Sequence, residues 1–341
     1  MTTCRWYCTV AEIVADLELP GVKDEAQLMR FVKAASRFFD QRGGHFIPIT
    51  EQRRYDGDGQ FDLWIDPLLA ITAFALYDGD TAYTLTSADY LLNPPARWWA
   101  NGPYTRLEID LDGQVGAWFK GQQNAQITGR WGLYENTVAT ASEVLSDSDP
   151  TDLLLSSTGL LSPGMILKID DEQIAVESTG SPTLNVANTA EAIDLSEEEI
   201  DLDDASDIQI GEVLRIDFEQ FKVLDKVSNT CLVSRGYNGS KRTTHTANTD
   251  VYVYRSFGVS RGVNGTTAAT HTAGTDVYRY VAPDDVNYLC RQIAVLMYRK
   301  AQSGFAGKVG NADTGETFYN NEFPNDPIGK IMRGYLGQII R

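Results

Sequence analysis

Two stretches in the middle of the chain, GMILKIDDEQIAV beginning at Gly164 and GEVLRIDFEQFKV beginning at Gly211, are copies of one sequence 47 residues apart. A second pair, SRGYNGSKRTTHTANTDVYVY beginning at Ser234 and SRGVNGTTAATHTAGTDVYRY beginning at Ser260, repeats after 26 residues. A tandem repeat would keep one offset along its whole length. The unequal offsets therefore indicate that one β module is interrupted and that a complete second copy lies inside the interruption.

These offsets divide the middle of the chain into a split module and an inserted module. We predict that residues 138–184 and 256–280 form the first module and that residues 185–255 form the second. Insertions are tolerated at exposed hairpin tips, which favours nesting; a duplicated second half is the alternative. Apolar and polar residues alternate in each copy, and Asn-Gly favours a hairpin turn with positive φ. Both copies are therefore predicted to be small antiparallel β-barrels or sandwiches.

The flanking segments carry helical signals. Residues 9–12 read as a capping box, residues 24–41 repeat apolar side chains at helical spacing, and residues 284–300 follow a proline. The last helix has an apolar stripe that we assign to the core, formed by Val286, Leu289, Ile293, Leu296 and Met297. From residue 46 to 132 the signals change to short β-like runs. We therefore predict an α+β protein in which residues 1–137 and 281–305 form an α-helical core with a β-rich segment.

Composition limits the classes of function. The 341-residue chain carries a net charge of −18 at pH 7 and therefore lacks the basic surface that phosphate backbones and anionic membranes attract. It has no apolar run of about 18 residues that would span a membrane. Its four cysteines form no C-x-x-C pair, which argues against a zinc site and a disulfide framework. We expect no cofactor, no membrane association and no secretory leader.

Motifs that carry chemistry are scarce. The acidic residues of 197–207 and the run Asp56-Gly-Asp-Gly lack the spacing of a calcium loop. His245 and His271 occupy equivalent repeat positions, which favours a loop or packing role over catalysis. Trp98 and Trp99 are compatible with a sugar platform, although a core or subunit contact is favoured. We find no nucleophile elbow and no phosphate-binding glycine loop, and we predict that the chain is not an enzyme and has no catalytic or metal-binding residues.

The C-terminal segment, residues 306–341, is predicted to be an arm. Its first half is rich in Gly, Asn, Asp and Thr, and its second half has large apolar residues without an obvious local core. We predict that these side chains dock on another subunit; folding back onto the same domain is the alternative. The residues assigned to this contact are Phe318, Tyr319, Phe323, Ile328, Ile331, Arg333, Tyr335, Leu336 and Ile339.

The order of motifs along the chain resembles the head–tail connector (adaptor, or head-completion) proteins of long-tailed bacteriophages. The resemblance rests on AASRFFDQRGGHF at 34–46, RRYDGDG from Arg53, LWIDPLL from Leu63, DY and LLNPP from Asp89, ITGRWG at 127–132 and PDDV from Pro283. It covers residues 8–132 and 283–303, and the β modules resemble a segment common in phage neck and tail proteins. The doubled module and the long C-terminal segment depart from the family pattern.

The resemblance implies a structural protein of the virion neck that is made in the host bacterial cytoplasm. It implies a dodecameric ring that binds the portal protein and extends the DNA channel to a stopper, neck or tail-completion protein. An acidic chain suits a channel through which DNA slides without specific binding. The alternative class is a virion decoration or host-receptor protein that binds carbohydrate.

Overall fold

The computed structural model describes residues 3–22, 24–95, 102–157, 161–182, 184–302, 308–310, 317–319 and 325–336. The structure is mostly β, with 41% strand against 19% helix. The prediction of an α-helical core is therefore wrong, because strands outweigh helices in the described residues and form three large β units.

The helical layer combines segments from both ends of the chain. Its helices are α1 (Val10–Asp16), α2 (Glu25–Asp40), α3 (Asp284–Gln302) and α4 (Asn325–Leu336). The predicted capping box is confirmed: the Thr9 hydroxyl accepts from the Glu12 N–H, and the Glu12 carboxylate accepts from the Thr9 N–H. The apolar faces of the helices share one core that also includes Ile166, Ala175 and Val263 of the β modules. The helices therefore pack against the first β module, and side chains of both form one core.

The first β unit is a six-stranded antiparallel sheet with a core of its own. Its strands are β1 (Ile49–Gly57), β2 (Asp62–Asp78), β3 (Thr81–Leu85), β4 (Tyr90–Asn93), β5 (Tyr104–Ile109) and β6 (Gly121–Trp131). The order is β1-β6-β2-β5-β4, and β3 pairs with the second half of β2. Trp118 and Trp131 are fully buried, and their indole N–H groups donate to the carbonyls of Phe61 and Glu51, each at 2.9 Å.

Pro67 lies inside a long strand that the sequence pattern divides into two. The runs on either side of Pro67 read as two short strands, because proline cannot donate to a strand ladder. In the structure they form one 17-residue strand, β2. The pairing of β2 with β5 shifts register between Trp64 and Leu68, so the proline sits at an irregularity in the ladder.

The middle of the chain forms two more β units. Their strands are β7 (Thr137–Ser146), β8 (Asp152–Leu155), β9 (Ile166–Ile169), β10 (Glu172–Thr179), β11 (Leu184–Asn188), β12 (Glu199–Asp201), β13 (Val213–Ile216), β14 (Glu219–Val227), β15 (Thr230–Arg235), β16 (Asp250–Val253), β17 (Ser256–Ser260) and β18 (Asp276–Tyr280). A closed barrel has the order β10-β17-β8-β7-β18-β9, and a six-stranded sheet has the order β11-β16-β13-β14-β15-β12. We call these the first and the second module.

The strands of the first module come from two segments, one before and one after the second module in sequence. Thr179 at the end of β10 pairs with Phe257 on β17, and the residues between them supply all six strands of the second module. A bridge between Thr189 and Leu202 joins the two edges of the second module. The first module has its own apolar core, which includes Val144, Leu153 and Val277, and a separate core around Phe221 fills the second.

Candidate functional site

A buried ionic cluster joins strand, turn and loop in the first module. Arg261 pairs with Glu172 through two bonds, Nε to Oε1 at 2.9 Å and Nη2 to Oε2 at 2.8 Å. The ring of His271 lies between two carboxylates, with Nδ1 2.8 Å from Oδ2 of Asp170 and Nε2 2.9 Å from Oε2 of Glu172. Asp170 begins the two-residue turn between β9 and β10 and has a φ of 50°. The turn is thereby held to the loop that carries His271.

Glu172 is the centre of this cluster. Burial alone would raise the pKa of its carboxyl group, but hydrogen bonds from Arg261, from the N–H groups of Ala269 and Gly262 and from His271 outweigh burial and hold the pKa below its usual value. Both of its oxygens accept more than one hydrogen bond. Glu172 is therefore a charged cross-link whose hydrogen-bonding capacity is used within the protein.

The second module repeats the same cluster with matching atoms. Arg235 pairs with Glu219, Nε to Oε1 at 2.9 Å and Nη2 to Oε2 at 2.8 Å. His245 lies 2.7 Å from Oδ2 of Asp217 through Nδ1 and 3.0 Å from Oε2 of Glu219 through Nε2. Burial would raise the pKa of Glu219, yet hydrogen bonds from Arg235, the Thr243 N–H and His245 lower it to about 2.

The clusters stabilise the modules by linking distant segments. Each links a β-hairpin turn to the arginine strand and to the returning histidine loop. The arginine, glutamate and histidine side chains are almost completely buried, whereas the turn aspartates Asp170 and Asp217 are exposed. Both ring nitrogens of His245 and of His271 face carboxylate oxygens, so each ring is already occupied on both sides. A general base needs a nitrogen free to meet a substrate proton. The geometry accordingly suits a structural role for both histidines.

An asparagine of each module contacts the amino-terminal part of the chain. Asn264 accepts from the Cys4 N–H at 2.8 Å and donates to the Cys4 carbonyl at 2.7 Å, so its amide pairs with the backbone as a neighbouring strand would. In the second module, Asn238 accepts from the Val22 N–H at 2.7 Å. Both asparagines have positive φ, 55° and 52°, which asparagine tolerates better than most residues. The repeated Asn-Gly loops thus attach both modules to the helical layer.

A cavity of about 300 Å³ lies where the second module meets the helical layer. One wall is formed by Val10 and Ala11 of α1, and the opposite wall includes Lys222, Tyr237 and Tyr254 of the second module. Burial lowers the pKa of Lys222, and the Glu212 carboxylate acts in the opposite direction. The contact between module and helical layer is therefore partly open.

The structure gives part of the predicted C-terminal arm a partner within the same chain. Ile328 and Met332 of α4 are buried in the core of the helical layer, and Ile331, Tyr335 and Leu336 pack against it. The Tyr335 ring meets Phe46 edge-on with centroids 5.0 Å apart, and its hydroxyl donates to Asp285 at 3.1 Å. The expectation that these apolar residues lack a local core is wrong for α4, because the end of α2 and the start of α3 create one.

The other residues assigned to the arm have varied positions. Arg333 is exposed on α4. Phe318 and Tyr319 belong to β20 (Thr317–Tyr319), which pairs with β19 (Lys308–Gly310). Phe323 and Ile339 lie outside the described residues. No contact with another subunit is tested by these positions, so portal binding stays a prediction.

The predicted stripe of α3 is mostly interior. Val286, Leu289 and Ile293 are buried in the helical core, whereas Leu296 is partly exposed. Asn287 on the same helix donates to the Tyr7 carbonyl at 2.8 Å. The helix therefore joins the two ends of the chain.

The remaining sequence candidates give no assembled site in the part of the chain that the structure describes. Within it, no group of three or more His, Cys, Asp or Glu side chains could hold a metal ion. Asp203 and Asp204 of the acidic run accept hydrogen bonds from neighbouring backbone N–H groups instead. Trp98 and Trp99 lie outside the described residues.

Sequence reasoning missed the ionic clusters and the docking asparagines, although the repeat contains a signal for them. Arg, Glu, His, Asp and Asn recur at matching positions in both copies, whereas the residue after each turn aspartate changes from Asp171 to Phe218. Polar residues retained by two copies that differ elsewhere indicate mutual contacts. The arginine and the glutamate are 89 residues apart in the first module and 16 residues apart in the second, and the repeat alone does not show that they pair.

No helix among the described residues is long and apolar enough to cross a membrane. Comparisons of the chain with protein-family models, with curated proteins and with solved structures gave no match.

Proposed function

We propose that this chain is a structural subunit of a tailed-phage neck, a ring-forming head–tail connector that binds the portal and extends the DNA channel. The proposal rests first on the resemblance of two separate stretches, residues 8–132 and 283–303, to connector proteins. It places the protein in the virion, with copies of itself, the portal and the next neck or tail protein as its partners.

One structural observation supports the proposal more than any other. Helices from the two resembling stretches meet in the helical layer although the β modules separate them in sequence. Asn287 of α3 donates to the Glu12 carboxylate of α1 at 3.2 Å, and the Cys290 thiol lies 3.5 Å from the Ser36 hydroxyl of α2. A single folded unit that is interrupted in sequence by inserted modules would have this form, since insertions spare the contacts between the flanking segments.

The charged residues of the chain are compatible with an assembly role. The buried Arg–Glu pairs belong to the two matched clusters and stabilise the modules. The net charge of −18 would keep a channel wall from retaining DNA, because like charges repel phosphates.

The ring is tested with the purified full-length chain. Negative-stain electron microscopy and mass photometry over a concentration series should reveal closed rings of uniform copy number, alone or after addition of the portal. A chain that remains monomeric at every concentration and in the presence of the portal would contradict the proposal.

Portal binding through the arm is tested with a surface substitution, because truncation before α4 would also remove Ile328 and Met332 from the core. We expect Arg333→Glu to weaken capture by the portal, since the residue is exposed on α4. Arg54→Glu, at an exposed position on β1, is the matched control. Equal capture of both variants would move the portal contact away from α4.

A further inference from the structure

The outer surface of β12, β14 and β15 in the second module is apolar at its centre and acidic at its edge. Leu232 on β15 lies opposite Asp225 on β14 and Glu199 on β12, so these three side chains share one face. Leu224, Val227 and Leu232 are 52%, 73% and 38% exposed. We call this surface, formed by the three apolar residues with Asp225 and Glu199, the ribbon face. Contiguous apolar side chains with a polar rim mark interaction surfaces.

Helix α2 contacts the first module beside the matching surface. Glu177 corresponds to Leu224 at the offset of 47, and it pairs with Lys33 of α2 at 2.5 Å. Thr179, two residues later, donates to Glu25 of α2 through its N–H at 2.8 Å and through its hydroxyl at 2.6 Å. Both modules carry a bulge at the corresponding position, between Val176 and Ser178 and between Val223 and Asp225. In the first module, helix α2 therefore contacts the strand position that matches Leu224 through the Glu177–Lys33 pair.

The outward side of α2 has the chemistry that the ribbon face requires. Ala26, Arg30, Ala34 and Arg37 are exposed and recur at spacings of four, four and three, so they form one stripe. The two alanines allow close approach to Leu224 and Leu232. The two arginines can reach the acidic rim, since their long side chains extend beyond the alanines. In a chain with a net charge of −18, this stripe is locally basic.

We propose that the ribbon face of the second module binds helix α2 of a neighbouring copy of this chain. The inference rests on the proposed ring and names the surfaces through which adjacent subunits meet. The ribbon face and the α2 stripe are different surfaces, so the contact is heterologous: each copy uses one surface toward each neighbour. Contacts of this kind close into rings when the rotation between subunits divides a full turn.

Site-directed cross-linking of the full-length chain tests the contact. The four native cysteines are buried, which leaves introduced surface thiols as the accessible ones. We expect a mixture of Leu232→Cys and Ala34→Cys chains to give a dimer with a short bismaleimide. The yield should be at least about tenfold above that of either chain alone, because a heterologous contact brings unlike positions together. Leu111→Cys replaces Leu232→Cys as the control, since Leu111 is 72% exposed on another unit.

Charge exchange provides an independent measurement. The pair Arg30→Glu and Arg37→Glu, or the pair Glu199→Lys and Asp225→Lys, should each raise the dissociation constant between copies about tenfold or more. Mixing the two doubly substituted chains should restore association, because opposite charges again face each other at the junction between them. Circular dichroism of each chain checks that the fold is retained.

The outcomes separate this contact from the ring itself. Rings that form without the mixed cross-link and are insensitive to the charge exchange overturn the α2 contact and leave the proposed function intact. A specific mixed cross-link in a chain that forms no closed ring, alone or with the portal, supports the contact and overturns the ring. A chain with neither the cross-link nor the ring overturns both.

Discussion

The two β modules share an interior and differ in their surroundings. Each holds an Arg–Glu pair, a histidine between two carboxylates and an asparagine with positive φ, at matching positions and with matching distances. Around the first module, Ile166, Ala175 and Val263 are buried in the core of the helical layer. The corresponding residues of the second module, Val213, Lys222 and Tyr237, are partly exposed and line the cavity.

The comparison distinguishes the residues that stabilise the fold of a module from the residues that contact its surroundings. The ionic cluster links three segments of one module, so loss of the arginine or of the glutamate takes a charged partner from a buried ionic group. The surroundings of the outer residues differ between the copies, since Lys33 of α2 pairs with Glu177 of the first module, whereas Leu224 at the matching position of the second module is 52% exposed. The two copies therefore share the cluster and differ in their outer surfaces.

The largest expected effect comes from breaking a cluster. Glu172→Ala should lower the free energy of unfolding by about 3–5 kcal/mol, because Arg261 would keep only the Asp147 carboxylate and the N–H groups of Gly262 and Ala269 would lose their acceptor. Denaturant unfolding followed by fluorescence measures the loss. Asp171→Ala, at the exposed neighbouring position, should change it by less than about 0.5 kcal/mol. A loss below 1 kcal/mol for Glu172→Ala would show that the cluster is dispensable.

Acid should weaken the second module through Glu219. Its pKa is about 2 in the folded chain against an ordinary value of 4.5, so the folded state binds the proton less readily than the unfolded state. The stabilisation is fully present above pH 4.5 and is lost as the pH falls toward 2, a total of about 3 kcal/mol. Unfolding free energies at pH 6 and pH 2.5 measure it. Glu219→Gln should be less stable at pH 6 and have a flatter pH profile, and an unchanged profile would contradict the assignment.

Substitution of the two docking asparagines should lower the free energy of unfolding by different amounts. Asn264 is fully buried and bonds both the N–H and the carbonyl of Cys4, whereas Asn238 is partly exposed and bonds the Val22 N–H. Asn264→Gly should therefore cost about 2–3 kcal/mol and Asn238→Gly about 1 kcal/mol. Glycine is used because it adopts positive φ without strain. Hydrogen exchange at the amides of Cys4 and Val22 locates the loss, and equal effects would remove the distinction.

Deleting residues 186–254 should leave the rest of the chain folded. Thr179 and Phe257 pair directly, and the Gly180 N–H donates to the Ser256 carbonyl at 2.8 Å, so the remaining ends meet in a short loop. The expected loss for the remaining chain is about 1 kcal/mol, from the contact of Asn238 with Val22. Thermal unfolding with near-ultraviolet circular dichroism measures it. Global unfolding of the shortened chain would mean that the first module depends on the second.

The smallest effects concern the outer surfaces of the modules. Glu177→Ala removes a pair with Lys33, whose side chain is 43% exposed, and should cost at most about 1 kcal/mol. Leu224→Ala at the matching position should leave the unfolding free energy of the monomer within about 0.5 kcal/mol, because the side chain is 52% exposed. Chemical denaturation in dilute solution compares the two. A large loss for Leu224→Ala would mean that the side chain already has an intramolecular partner.

Local patterns were sufficient for the elements that short-range chemistry determines. The capping box at Thr9, the α2 and α3 helices and the positive φ at Asn238 and Asn264 all follow from a few neighbouring residues. The unequal repeat offsets are likewise visible in the sequence, and in the structure strands β11 to β16 lie between β10 and β17 in chain order. These features depend on the order of residues and on interactions between near neighbours, and both can be inferred from the sequence.

Only the tertiary structure revealed the proportion of strand to helix and the contacts between segments that are distant in sequence. The sequence did not reveal that the strand β2 continues through Pro67, because pairing on both sides of an irregularity overrides the preference of one residue. It also could not place Ile328 and Met332 in the helical core or pair Arg261 with Glu172, since burial depends on which surfaces meet. For the same physical reason, two nearly identical modules ended in different surroundings: a sequence specifies which side chains need a partner, and only the packed chain supplies one.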